Sequence, residues 1–102
     1  MALDEIIASM QSQAEKLKEL NHSVLFDLGD DGRILLDART DGVKITPNPD
    51  SEEADTTLAL SAENLGKLME GDLNPMVAFT MGRLKIFGSK GVALKLAGLF
   101  DK

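Results

Sequence analysis

The chain of 102 residues has no cysteine, no tryptophan and no tyrosine, and it has one histidine. Without cysteine there is no disulfide framework, no thiolate zinc site and no cysteine nucleophile. Four phenylalanines are the only aromatic residues, too few to build the stacking platforms on which nucleic-acid bases lie. Positive charge is also scarce: 11 Lys and Arg stand against 17 Asp and Glu, a net charge of -6. That balance excludes a nucleic-acid binder relying on phosphate neutralisation. No apolar run approaches the ~18 residues that span a bilayer, and the first residues lack a basic-then-apolar signal pattern. The expectation is a soluble, cytoplasmic protein with no transmembrane segment.

Catalytic groups are equally sparse. His22 sits at a helix-to-strand junction, and Ser23 beside it would point to the opposite face of a strand, so the two cannot form a hydrogen-bonded dyad. Asp30, Asp31, Asp41, Asp50, Glu52 and Glu53 fall in turns, where a solvated carboxylate is the default. Asp27 to Gly32 begins like a calcium loop, but Gly29 occupies the second ligand position and Ala38 stands where the bidentate glutamate belongs. Glycines 82, 88 and 91 make no dinucleotide fingerprint, and there is no Walker-type loop. The residues give no catalytic set, no metal site and no cofactor.

What is present is a foldable domain. With 43% hydrophobic and 27% charged residues, the composition is that of one globular unit, here residues 1–102. Leu3, Ile6, Ile7, Met10, Ala14, Leu17 and Leu20 recur at helical spacing and predict an amphipathic helix. From Ser23 the period falls to two. Val24, Phe26 and Leu28 lead into a turn at Asp30-Asp31-Gly32; Ile34, Leu36 and Ala38 follow; Asp41-Gly42 then turns the chain into Val43 to Thr46. Pro47 to Ala54 reads as an exposed connection. A fourth strand runs from Asp55 to Leu60, and Ser61 caps a helix carrying Leu65, Leu68 and Met69 that ends at Gly71. Asn74-Pro75 opens a short helix through Met76, Phe79 and Met81. Arg83 to Phe87 is a fifth strand, and Ser89 caps a last helix from about Lys90 to Phe100. The class is α+β: a five-stranded, mainly antiparallel sheet with helices covering one face.

Two features in the second half bear on function. Met69, Met76 and Met81 are adaptable thioethers, suited either to core filling or to the lining of a permissive site. On the last helix, with Lys95 set outward, Ala93, Ala97 and Phe100 lie opposite it and Leu94 and Leu96 flank them. Two inward alanines mean either close packing or a groove left open. Charge is uneven as well. Residues 1 to 54 carry 5 basic and 12 acidic side chains, and residues 55 to 102 carry 6 and 5. The cations near the C-terminus are either a solvated face or a patch that meets phosphate head groups.

The segments Ala54-Asp55-Thr56-Thr57-Leu58-Ala59-Leu60-Ser61, Gly71-Asp72-Leu73-Asn74-Pro75-Met76-Val77-Ala78-Phe79, Gly82-Arg83-Leu84-Lys85-Ile86-Phe87-Gly88 and Gly91-Val92-Ala93-Leu94-Lys95-Leu96 resemble, in order and spacing, the sterol carrier protein 2 family of nonspecific lipid-binding domains. The resemblance covers roughly residues 54 to 97, and the type it suggests is stand-alone and prokaryotic. It implies an apolar tunnel between sheet and helices, noncovalent binding of a fatty acid, fatty acyl-coenzyme A, phospholipid or sterol-like lipid, possible transfer or presentation of that lipid, and no catalysis by the domain. Carried onto this sequence, it makes Leu68, Met69, Leu73, Met76, Phe79, Met81, Leu84, Ile86, Ala93, Leu94, Leu96, Ala97 and Phe100 ligand-binding residues, with Lys90 and Lys95 for the head group. The partners implied are a lipid or fatty acyl ligand and a transient membrane-surface or enzyme contact, with no nucleic acid. Two departures stand out: Ser89-Lys90 replaces an acidic or amide residue and an apolar one, and the chain stops at Lys102 with no peroxisomal tail. The alternative reading is a non-enzymatic accessory module with a filled core that docks to an acyl-processing enzyme.

Overall fold

A computed structural model describes residues 3–39, 42–51 and 53–100. The N-terminal helical pattern forms two pieces rather than one. Helix α1 spans Leu3–Ser12, the chain breaks at Gln13, α2 spans Ala14–Leu17, and a 3-10 turn covers Lys18–Leu20. Ile6, Met10, Leu17 and Leu20 are all buried, so the break keeps the apolar stripe on the core while the chain bends. Asn21 ends the turn at φ 56, a left-handed conformation that asparagine tolerates.

Strands β1 (Ser23–Asp27), β2 (Arg33–Asp37) and β3 (Lys44–Pro47) form an antiparallel meander. The first connection is a 3-10 turn at Gly29–Asp31, and its positive φ angles belong to Gly29 and Gly32 rather than to the aspartates. Leu28 and Val43, expected within strands, lie just outside them, and Asp41 of the second turn lies outside the described residues. Strand β4 (Thr56–Ala59) pairs with β1 in parallel, and the edge strand β5 (Lys85–Gly88) pairs antiparallel with β4. The sheet order is β3-β2-β1-β4-β5, a mixed sheet in which three of the four pairings are antiparallel.

The alternation puts Ile34, Leu36, Val24, Phe26, Leu58 and Ile86 on one face, where they meet the helices α1, α3 (Ala62–Glu70) and α5 (Lys90–Phe100). The opposite face carries the register row Leu35, Leu25, Thr57 and Phe87 among charged neighbours. Ser61 caps α3 by accepting from the Asn64 amide at 3.0 Å, and Gly71 closes it at φ 80. Asn74 caps the six-residue α4 (Pro75–Thr80) by accepting from the amides of Met76 at 2.8 Å and Val77 at 3.2 Å. Ser89 caps α5 through the Val92 amide at 3.2 Å.

Candidate functional site

The second half of the chain leaves a cavity under its helices. On the sheet, Phe26, Leu58 and Ile86 are cross-strand neighbours and form a continuous apolar floor. Leu65 and Leu68 of α3 make one wall, and the Gly71–Pro75 segment with Leu73 makes the corner. Met76 and Phe79 of α4, with Leu84, make another. Helix α5 closes the fourth side with Ala93, Leu94, Leu96, Ala97, Gly98 and Phe100, and Lys90 stands at its first turn. The enclosed volume is about 410 Å³. The space exists because α5 turns small residues toward it, because Gly98 has no heavy atom within 4 Å of where a Cβ would be, and because α4 is anchored through a single buried residue, Ala78. Met76, Phe79 and Leu94 line the pocket and are also exposed, so they mark its mouth.

Of the side chains expected to bind ligand, Leu68, Leu73, Met76, Phe79, Leu84, Ile86, Ala93, Leu94, Leu96, Ala97, Phe100 and Lys90 line this cavity. Three lie elsewhere. Met69 is 3% exposed and belongs to the core beneath α3, Met81 is 59% exposed beyond the end of α4, and Lys95 points away from the pocket on α5. The methionine cluster therefore divides by location: one fills core, one lines the cavity and one faces solvent. Phe26, Leu58 and Leu65 complete the lining and were not among the expected ligand contacts. Their signal was ordinary core periodicity, which does not say which part of a core is hollow.

The lining offers two polar side chains, Asn74 and Lys90. The Asn74 carboxamide oxygen is committed to the α4 cap. The Lys90 ammonium lies 5.7 Å from the centre of the Phe79 ring, a cation–π distance that holds the charge at the mouth.

The polar pair singled out at the start of β1 serves the fold. Asp55 Oδ2 accepts from the Ser23 amide at 2.9 Å and lies 3.2 Å from His22 Nδ1, while the Asp55 amide donates to Ser23 Oγ at 3.0 Å. These bonds tie β1 to the entry of β4. The Ser23 amide is the main reason the Asp55 carboxyl is held below its ordinary pKa; His22 helps, and partial desolvation opposes. Asp37 is lowered in the same direction, chiefly by the Arg39 side chain at 3.0 Å. Among the described residues, no group of three or more His, Asp or Glu side chains could hold a metal ion, and no helix is long and apolar enough to cross a membrane.

Fold and pocket together define an α+β lipid-binding domain. The chain belongs to the SCP-2 sterol transfer family, which matches residues 3–101. It is similar to Sterol carrier protein 2 of Bos taurus, 37% identical over 71 residues, covering 70% of this chain and 13% of that protein. It is also similar to Hydroxysteroid dehydrogenase-like protein 2 of Bos taurus, 34% identical over 73 residues, covering 72% of this chain and 18% of that protein. The chain thus spans less than a fifth of either relative. Among solved structures, Sterol Carrier Protein 2 from Yarrowia lipolytica in its apo form superposes with a TM-score of 0.70 at 28% identity, over 91% of this chain and 77% of that one. Membership supports lipid binding in general as the activity of the domain.

Proposed function

We propose that the domain binds one fatty acyl chain or a lipid of similar girth, without covalent chemistry, in the pocket between the inner sheet face and helices α3, α4 and α5, and that Lys90 receives an anionic head group. The observation that carries this reading is the lining itself: about 410 Å³ bounded by apolar side chains, with one uncommitted cation at the mouth. The driving force is burial. Each methylene removed from water gives about 0.8 kcal/mol, so ten give roughly 8 kcal/mol before association costs. An apolar lining separates neighbouring chain lengths by only about 1 to 3 kcal/mol, so specificity for chain length is broad. On this reading the domain stores, presents or transfers its lipid in the cytoplasm and leaves chemistry to other proteins.

Native mass spectrometry of the freshly purified protein, followed by organic extraction, tests the proposal. A copurifying lipid, or stoichiometric uptake of added fatty acid, is the expected result. Protein that carries no lipid and takes up none would favour a filled-core accessory module.

A further inference from the structure

Two distributions that the pocket does not require coincide at its mouth. Every large hydrophobic residue exposed among the described residues lies between positions 76 and 94: Met76, Val77, Phe79, Met81, Phe87 and Leu94, each 40% to 59% exposed. Charge divides at the same place. Residues 1–72 carry 16 acidic and 6 basic side chains, whereas residues 73–100 carry four cations, Arg83, Lys85, Lys90 and Lys95, and no acid. The two sets interleave. Lys90 lies against the Phe79 ring, Lys95 follows Leu94, and the amides of Arg83 and Leu84 both donate to the Ala78 carbonyl at 2.8 and 3.2 Å, which holds Arg83 beside α4.

We infer that this mouth is a docking surface for anionic lipid bilayers, with α4 inserted at the head-group level and the four cations around it. The inference rests on the lipid-binding reading and adds where the lipid comes from. A protein partner fits less well, because lysine is depleted at protein interfaces, whereas apolar side chains interleaved with lysines match a membrane surface, where the long aliphatic stems stay in contact with the apolar layer. The net charge of -6 does not prevent docking. The Debye length is about 8 Å at physiological salt, and the molecule measures 35 × 27 × 25 Å, so acids on its far side are screened from the contact. Glu70 and Asp72, which flank the pocket-lining Gly71, are the acidic side chains in sequence next to the mouth, and they weaken the attraction without reversing it.

The test is flotation with vesicles of phosphatidylcholine alone and with one part in three replaced by phosphatidylserine. Wild type should bind the anionic vesicles, and binding should fall with salt. Arg83, Lys85 and Lys95 do not line the pocket, and each cation near an anionic surface contributes about 5-fold to binding. The triple variant Arg83→Glu, Lys85→Glu, Lys95→Glu should therefore lose about 100-fold or more while still binding a dissolved fluorescent fatty acid. A second variant, Val77→Ser with Met81→Ser, should weaken vesicle binding at every salt concentration. Lys16→Glu with Lys18→Glu on α2 should change little. Wild type that ignores anionic vesicles yet binds the dissolved fatty acid overturns the docking surface and leaves the patch to a protein partner. Equal loss in the α2 variant also overturns it. Failure to bind dissolved fatty acid at all is the separate failure of the lipid-binding reading.

Discussion

Replacing Ala97 by tryptophan should abolish lipid uptake and leave the apo fold standing. Ala97 is half-buried on the α5 wall of the pocket. The energetics of that space are severe. At about 24 cal/mol per Å³, a dry void of 410 Å³ would cost about 10 kcal/mol, as much as the ~5–15 kcal/mol of total stability such a domain has. The space is therefore wetted, partly collapsed or occupied, and lipid entering it should stabilise the protein. Ligand at one hundred times Kd adds about 2.7 kcal/mol. Unfolding entropy is about 2.1 cal/mol/K per residue, so for 102 residues the shift in Tm should be about 13 °C. In Ala97→Trp the indole takes the ligand's place. Scanning fluorimetry with and without fatty acid should then show a ligand shift near zero and an apo Tm close to wild type. A different result would refute the reasoning: a parent protein that no lipid stabilises, with an Ala97→Trp variant losing about 5 to 14 °C, the signature of 1 to 3 kcal/mol of overpacking against a filled core.

Other consequences follow from individual contacts. Lys90→Glu should weaken acyl-coenzyme A more than the corresponding fatty alcohol in a fluorescence displacement assay, and the contrast should shrink with added salt; equal weakening would assign Lys90 to solvent. Asp55→Ala leaves the part-buried Ser23 amide without its partner and should cost about 1 kcal/mol at pH 7. Because the Asp55 carboxyl is lowered in the folded state, its contribution is fully present above the ordinary value of 3.8 and is lost as pH falls through the folded value. Thermal melts of variant and wild type should accordingly converge below about pH 4, and a gap that persists there would show that the ionised carboxylate is not the stabilising species. Gly88 has φ 101, and a Cβ there would lie 3.0 Å from the Asp55 carbonyl oxygen, so Gly88→Ala should lower stability by more than about 1 kcal/mol. Gly98→Ala should act in the opposite direction, since the site is open and a helical alanine gains up to about 1 kcal/mol over glycine; differential scanning calorimetry on both variants checks the pair.

Much of the fold is legible in local sequence. The caps Ser61, Asn74 and Ser89, the glycine stop at Gly71 and the period-two strands all depend on side chains within a few residues of one another, and each sits where the sequence places it. Three things depend on distant partners and were not legible. The helix break at Gln13 follows from wrapping Leu17 and Leu20 onto the core, which helical periodicity alone does not record. The parallel β1–β4 pairing is set by the crossover after β3, and it is this pairing that puts Phe26 beside Leu58 on the pocket floor. Met69 and Met81 have the same side chain as Met76 and lie only a few residues from it, yet one is core and the other solvent-exposed, because their positions relative to Ala78 and to the inner face of α3 decide their surroundings. Lys95 shows the same limit: one residue from Leu94, it is turned 100° from the mouth.

The central claim is that a lipid chain occupies the space between the Phe26, Leu58 and Ile86 floor and α5. Isotope-filtered NMR with a uniformly ¹³C-labelled saturated fatty acid and unlabelled protein reads those contacts directly. The expected result is a set of nuclear Overhauser effects from the chain methylenes to the side chains of Leu65, Ile86, Ala93 and Ala97, with none to Leu25 or Leu35 on the opposite sheet face. Absence of bound fatty acid, or effects confined to Phe87 and the outer face, would contradict it.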